Sequence, residues 1–235
     1  MKAVLLSAGK GERLGSLTQD TSKCLLPVGN KSMLEHWFYI LSIYKVTDVL
    51  VNLHHCADKV INHCSKIIPK TDIRTSFIYE KELLGSAKTV FNNRDFVKSD
   101  RYFLIIYTDT WMQIDLKKMY GFQKKHKGMG SIGLYKTNDL SDQGVVKVKG
   151  RKILSFEEKP KDAKDGFAFA GIMIGCTSMF RFYEDSMQDL SKDWLPKIKS
   201  GLNPFFIDGL VLDIGTPERY KSANEQIRNL GLKAL

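Results

Sequence analysis

What this sequence lacks narrows it first. Its 235 residues hold only four cysteines, Cys24, Cys56, Cys64 and Cys176, with no C-x-x-C pair. That excludes a disulfide scaffold, and although His54, His55 and His63 lie close to Cys56 and Cys64, their spacing matches none of the usual structural zinc sets. The thiols read as reduced ones, and a cytoplasmic protein is expected. No apolar run approaches the roughly 20 residues that cross a bilayer, and residues 1–6 are too short for a signal peptide, so no membrane partner is expected. An Arg-rich tract and an RNP-like aromatic motif are missing too, so the formal charge of +10 is not read as a nucleic-acid footprint. Both familiar phosphate-loop signatures are absent. GxGxxG would need glycine where Leu14 stands, and GxxxxGK[ST] does not occur.

What is present suits a single globular domain, since 43% of the residues are hydrophobic and the length can bury a substantial core. An excess of lysine and arginine fits a protein whose substrates are all polyanions. Residues 1–7 form a short apolar run that reads as a buried strand, and residues 32–44 carry Met33, Leu34, Trp37, Ile40 and Leu41 at helical spacing behind a Ser32–Glu35 capping box. Residues 49–53, 75–79 and 102–107 read as further strands, with helices at 58–68 and 116–127 and a helix start at 83–91. This β-α-β-α-β alternation implies an α/β fold with a parallel sheet. Residue 129 opens another strand, to 135. Short strands at 144–148, 152–156 and 167–174 then form a meander, followed by helices at 179–190 and 193–199, a short strand at 210–214, and a last helix starting at Pro217.

The chemistry concentrates in residues 5–28, LLSAGKGERLGSLTQDTSKCLLPV. After the first strand, Ala8, Gly9 and Gly11 open a loop whose backbone amides can approach phosphate oxygens closely. Arg13 adds a planar fork and Lys23 a point charge. Asp109 lies just past the end of an apolar strand, where open α/β sheets place ligands, and Asp213 stands in a similar place before a glycine turn. Two carboxylates at one sheet edge suit Mg²⁺, which keeps waters and otherwise binds phosphate oxygens.

The string A-G-x-G-x-R-L followed by K-x-L-L-P-V, carried by Ala8, Gly9, Gly11, Arg13, Leu14, Lys23, Leu26, Pro27 and Val28, resembles the signature of the sugar-1-phosphate nucleotidyltransferases. FEEKP at 156–160 resembles that family's F-x-E-K-P, and Glu80 and Glu82 with Leu84-Gly85-Ser86-Ala87 resemble its E-x-x-x-L-G-T-A. The matching motifs run in the family order from residue 5 to 220. The resemblance implies a Rossmann-like three-layer α/β/α fold, a mixed and mostly parallel sheet with a small sugar-binding β insertion. Residues 1–135 would be the nucleotide-binding half and 136–235 the sugar-phosphate half of one domain. It implies Arg13, Lys23 and Asp109 as catalytic residues, Leu6, Ala8, Gly9, Gly11, Glu80 and Gly85 at the nucleotide, and Gly144, Glu158, Lys159 and Gly171 at the sugar phosphate. Mg²⁺ would be held by Asp109 and Asp213.

Four departures from the family pattern stand out. Ser16 replaces a common proline, Glu12 a small residue, Tyr107-Thr108 a common Asn-Gly, where the branched Thr108 crowds the turn before Asp109, and Phe169 an asparagine. The size is that of short guanylyltransferases acting on mannose- or heptose-1-phosphate, with no length for the C-terminal β-helix of longer members. GTP is the expected nucleotide, because guanine offers two adjacent donors to a carboxylate such as Glu80, whereas uracil and thymine offer one donor flanked by carbonyls. The alternatives are a thymidylyl- or uridylyltransferase on glucose-1-phosphate, a glycosyltransferase with the same nucleotide-binding half, and an inactive nucleotide-sugar sensor. Asp109-Thr110-Trp111 lacks the D-x-D of that glycosyltransferase class, and retention of Arg13, Lys23, Asp109, Lys159 and Asp213 argues against the sensor. A homodimer is the assembly left open.

Overall fold

The computed structural model describes residues 1–162 and 165–231. The chain is an α/β protein with a mixed, mostly parallel sheet and flanking helices. Its first strand, β1 (Lys2–Leu6), is buried through Ala3, Val4 and Leu5. A hairpin of β2 (Pro27–Val28) and β3 (Lys31–Ser32) leads into α1 (Met33–Ile43), where the Ser32 hydroxyl accepts the Glu35 amide at 3.0 Å, as a capping serine does. Then come β4 (Asp48–Leu53), α2 (Ala57–Ile67) and β5 (Arg74–Tyr79). Two short helices, α3 (Ser86–Asn92) and α4 (Arg94–Val97), precede β6 (Tyr102–Tyr107), β7 (Thr110–Met112) and α5 (Leu116–His126). The strands β8 (Gly130–Tyr135), β9 (Gly144–Lys149), β10 (Lys152–Glu158) and β11 (Phe167–Cys176) follow, then α6 (Leu195–Ile198), β12 (Leu202–Phe206), β13 (Val211–Asp213) and α7 (Pro217–Asn229).

The contacts divide the chain into two compact units that interleave in sequence: Met1–Leu83 with Ile106–Gln113 and Leu210–Leu235, and Leu84–Ile105 with Ile114–Gly209. In the first unit β1, β4 and β5 run parallel, in a register that pairs Leu6 with Asn52 and Leu53 with Tyr79. β7 and β13 form an antiparallel ribbon in which Asp213 faces Thr110. Leu14, Leu26, Val28, Met33, Trp111, Leu212, Ile214, Ala223 and Ile227 share one buried cluster. The core of this unit therefore joins the glycine loop, the ribbon and the last helix. In the second unit β9 and β10 form the expected antiparallel hairpin and β11 pairs antiparallel with both β8 and β9.

Of the two helices expected after β11, 179–190 is broken, whereas 193–199 forms. In place of 179–190 there is a 3-10 turn at Thr177–Phe182, after which the chain is extended at Tyr183. Asp193 captures the amides of Gln188 and Asp189 at 2.9 and 2.8 Å, donors that a continued helix would need, while Asp189 caps the next helical run by accepting the amides of Ser191 and Lys192 at 2.8 and 2.9 Å. The expected helix 193–199 is present inside one helical run, made of a π turn at Leu190–Trp194, the four residues of α6 and a 3-10 turn at Lys199–Gly201. β12 was not expected, because Pro204 lies inside it. Among the described residues it pairs only with β8, as an edge strand that tolerates a missing N–H.

Candidate functional site

In the first unit, Gly9, Lys10, Gly11, Glu12, Arg13, Lys23, Leu83, Asp109 and Gly215 line one cleft of about 380 Å³. Five stretches of chain meet here, at 9–13, 23, 83, 109 and 215. β1 ends at Leu6, and Ala8 is already buried. Gly11 has φ +69°, and a Cβ there would lie 3.0 Å from Thr18 Cγ2 and 3.3 Å from Lys23 Cβ, so both backbone shape and space call for glycine. The Thr18 hydroxyl donates to the Gly11 carbonyl at 2.9 Å, the Leu14 amide donates to the same carbonyl at 2.8 Å, and Leu14 itself is buried. Behind the loop, His55 Nε2 lies 2.8 Å from the Thr18 carbonyl and Lys59 bonds the Asp20 carbonyl.

Lys23 opens a 3-10 turn, Lys23–Leu25, anchored by buried Cys24 and Leu26. Burial pushes the Cys24 thiol up to about 11, so this cysteine is an inert packing group and not a nucleophile. The turn delivers Lys23 Nζ to Asp109 Oδ2 at 2.8 Å, with the lysine side chain mostly covered and the aspartate 38% exposed to the cleft. Burial alone would raise the Asp109 carboxyl. The adjacent Lys23 ammonium, with Arg13 beyond it, outweighs that and holds the group below the usual carboxylate range.

Asp213 ends β13 one rung along the ribbon, and the Ile214 amide donates to the Asp109 carbonyl at 3.2 Å. Its carboxylate pairs with Arg219 at 2.7 Å and accepts the Gly215 amide at 2.9 Å. A Cβ on Gly215 would stand 3.1 Å from both Asp213 oxygens and 3.2 Å from an Arg13 guanidinium nitrogen, so Gly215 lets the turn pass between the two. Among the described residues no group of three or more His, Cys, Asp and Glu is gathered for a metal ion. A protein cage for a metal is therefore not built among them. The donor set, one carboxylate in the cleft and a second one rung away, fits a hard cation completed by phosphate oxygens and water.

Thr108 does more than crowd the turn before Asp109. Its Oγ1 lies 3.1 Å from the Leu6 carbonyl and 3.2 Å from Ser7 Oγ, which fastens the turn to the end of β1. Glu80 is buried, with its Oε1 accepting from Asn52 Nδ2 at 2.9 Å, and does not point into solvent. Gly85 lies in the second unit with φ +85°, where a Cβ would fall 2.3 Å from the Gln188 carbonyl. Glu12 pairs loosely with Lys10 at 3.9 Å, both largely exposed.

The sugar-phosphate candidates all belong to the second unit. Gly144 on β9 faces Glu158 on β10, and a Cβ on Gly144 would lie 2.9 Å from Glu158 Oε2. Lys159 follows with φ +51°, its amide donating to the Gln143 carbonyl at 2.9 Å, so an unusual backbone conformation aims this side chain. Gly171 lies on β11 with φ +72°, in a register shift between Phe169 and Met173. Phe169 packs its ring edge-on to Phe156, with centroids 5.6 Å apart, and is an apolar core group where a polar contact would have stood.

Sequence reasoning did not single out Asn52, Leu83, Gly215 or Arg219. Asn52 had left a signal, as the only polar residue in the run VLVNL.

Residues 2–229 match the family model described as Nucleotidyl transferase. The mannose-1-phosphate guanylyltransferase 1 of Arabidopsis thaliana is 30% identical over 226 residues, covering 94% of this chain and 63% of that protein. The mannose-1-phosphate guanyltransferase of Aspergillus oryzae is 29% identical over 228 residues, at 94% and 63% coverage. The chain thus spans less than two thirds of the length of these curated relatives. The crystal structure of HddC from Yersinia pseudotuberculosis superposes with a TM-score of 0.82 at 25% identity, covering 96% of this chain and 99% of that one, and HddC has also been solved in complex with GMP-PN.

Proposed function

Because the chain belongs to the nucleotidyl transferase family, we propose that it joins a nucleoside triphosphate to a sugar 1-phosphate, forming a nucleoside-diphosphate sugar and pyrophosphate, with GTP and mannose- or heptose-1-phosphate as the preferred pair. The observation that carries this is the cleft of Gly9, Gly11, Arg13, Lys23 and Asp109, with Lys23 and Asp109 paired at 2.8 Å. Glycine amides, a guanidinium and an ammonium ringing one carboxylate suit a triphosphate better than any neutral ligand. The two guanylyltransferases among the relatives and the GMP-PN complex of HddC support the guanine preference.

In the proposed reaction a phosphate oxygen of the sugar 1-phosphate attacks the α-phosphorus of the triphosphate in line. The new O–P bond forms as the bond to the β-phosphate oxygen breaks, and pyrophosphate leaves with the electron pair. The phosphate monoester is already an adequate nucleophile, so no general base is required. Residues 1–135 serve the nucleotide in this reading and 136–235 the sugar phosphate. The Gly9–Gly11 amides bind phosphate oxygens, Arg13 and Lys23 neutralise charge at the reacting phosphate, and Lys159 binds the sugar phosphate near Glu158 and Gly144. Asp109 and Asp213 would hold Mg²⁺, which when bound supplies further neutralisation of phosphate charge. Engaging Asp213 requires loosening its pair with Arg219. The four free cysteines suit a cytoplasmic enzyme.

The test is pyrophosphate release from a panel of four NTPs against mannose-, glucose- and heptose-1-phosphate, with products identified by mass. GTP with mannose- or heptose-1-phosphate should dominate. Dominance of UTP or dTTP ends the guanine reading, and no turnover with any pair ends the enzymatic one.

A further inference from the structure

The polar chain that joins the end of β1 to Glu80 is built on one unexpected residue. Asn52 lies in β4, between Val51 and Leu53, and is 4% exposed. Its Oδ1 accepts the Ser7 amide at 2.7 Å and its Nδ2 donates to Glu80 Oε1 at 2.9 Å. The β1–β4 ladder stops at the pairing of Leu6 with Asn52, so the Asn52 side chain takes over where the ladder ends and the glycine loop begins. Ser7 in turn touches Thr108, next to Asp109. At the other end, the Glu80 amide donates to the Leu53 carbonyl at 2.8 Å and the Glu80 carbonyl lies 2.9 Å from His54 Nδ1. Glu80 is thus held at its amide, its carbonyl and its carboxylate.

The orientation of Asn52 is forced. The Ser7 amide can only donate, so Oδ1 must face it, which leaves the NH₂ group for Glu80 and requires an accepting carboxylate oxygen there. Buried polar groups are costly unless each is partnered, and valine or isoleucine would complete this strand without any of them. The asparagine makes sense if the carboxylate it holds has work to do.

We propose that Asn52 is a positioning residue for base selection. It fixes the aim and acceptor state of Glu80 and ties that carboxylate to the first amide of the phosphate loop, so base and triphosphate are placed in one register. This rests on the guanine reading proposed above and on Glu80 as the base contact expected from the sequence.

The experiment compares wild type, Asn52→Ala and Asn52→Asp in kcat/KM for GTP, ITP, UTP and dTTP at fixed sugar phosphate, with circular dichroism to establish folding. Whichever base wild type prefers settles the guanine reading, and how the variants change that preference settles the role of Asn52. Asn52→Ala should shrink the preference by roughly 10- to 100-fold, as expected for losing a hydrogen bond to a charged group, and raise KM for the NTP while KM for the sugar phosphate stays within about 2-fold. Asn52→Asp still accepts from Ser7 but sets a second carboxylate against Glu80. It should lose the preference near pH 8 and regain part of it near pH 6, where the two carboxylates share a proton and one can donate again. If Asn52→Ala does not fold, the pH response of Asn52→Asp carries the test. A folded variant that keeps the wild-type preference, an Asn52→Asp enzyme without pH recovery, or equal KM increases for both substrates would overturn the proposal.

Discussion

Acid should weaken this protein through one buried imidazole. His36 lies on α1 at 1% exposure, stacked on Trp111 with ring centroids 4.9 Å apart and set edge-on to Trp37. Its Nε2 is 3.2 Å from the Met112 carbonyl, which places the proton on that nitrogen and leaves Nδ1 buried and unpartnered. Burial, with Lys31 adding to it and the Met112 carbonyl opposing it, pushes His36 from its ordinary 6.5 down to about 4. The depressed value means that the unfolded chain takes up a proton as pH falls through 6.5 while the folded chain refuses it until about 4. Stability is then fully present above 6.5 and drains away between those two values. At about 1.4 kcal/mol per pH unit the span amounts to roughly 3 kcal/mol, or about 6–12 °C in Tm for a chain of this size. Thermal melts followed by circular dichroism from pH 7.5 to 4.5 on wild type and His36→Phe measure it, because phenylalanine keeps a ring against Trp111 but cannot titrate. The variant should lose a smaller part of its Tm over that range. Two profiles that fall in parallel would refute the assignment and place the acid sensitivity elsewhere.

Three further outcomes follow from the site. Asp109→Asn and Asp213→Asn should each lower turnover by roughly 100-fold or more in a pyrophosphate-release assay at saturating Mg²⁺, and near-normal rates in either would remove that residue from the metal. Lys159→Ala should raise KM for the sugar phosphate far more than for the NTP, whereas an effect confined to the NTP would reverse the roles of Lys159 and Lys23. Gly215→Val puts a branched carbon where 3.1 Å to Asp213 and 3.2 Å to Arg13 are all that is available. Turnover should fall with little change in Tm, and a fully active variant would show that the spacing of those two groups is unimportant.

The strands that end at the cleft were legible because β1, β4 and β6 are near-continuous apolar runs, the pattern of a strand buried on both faces. The glycine loop was legible only through the longer string from Ala8 to Val28 and its resemblance to a family signature, since glycines after a strand are often no more than a tight turn. The stretch 183–189 was not. Its apolar spacing is helical, but Asp193 takes the backbone amides of Gln188 and Asp189, and that competition depends on side-chain aim that periodicity does not encode. β12 was hidden by its proline. Thr108 was seen as a crowded turn because a β-branched residue carries that expectation from sequence alone, whereas its hydroxyl partners, Leu6 and Ser7, are about a hundred residues away. Asn52 was passed over for the same reason.

The interleaving of the two units bears on the order in which the site can come into being. The buried cluster beneath the glycine loop joins Leu14, Leu26, Val28 and Met33 to Trp111 and then to Leu212, Ile214, Ala223 and Ile227. A nascent chain leaves the ribosome from its N-terminus, so the loop that is made first has no finished floor until residues 212–227 emerge. Between those moments both stretches of the second unit, 84–105 and 114–209, must be synthesised and accommodated. Chains that stop before residue 210 should therefore be exposed to proteolysis at the glycine loop, however well their middle has folded. A slow translational step late in the message would lengthen that exposure, while one placed early would leave it unchanged.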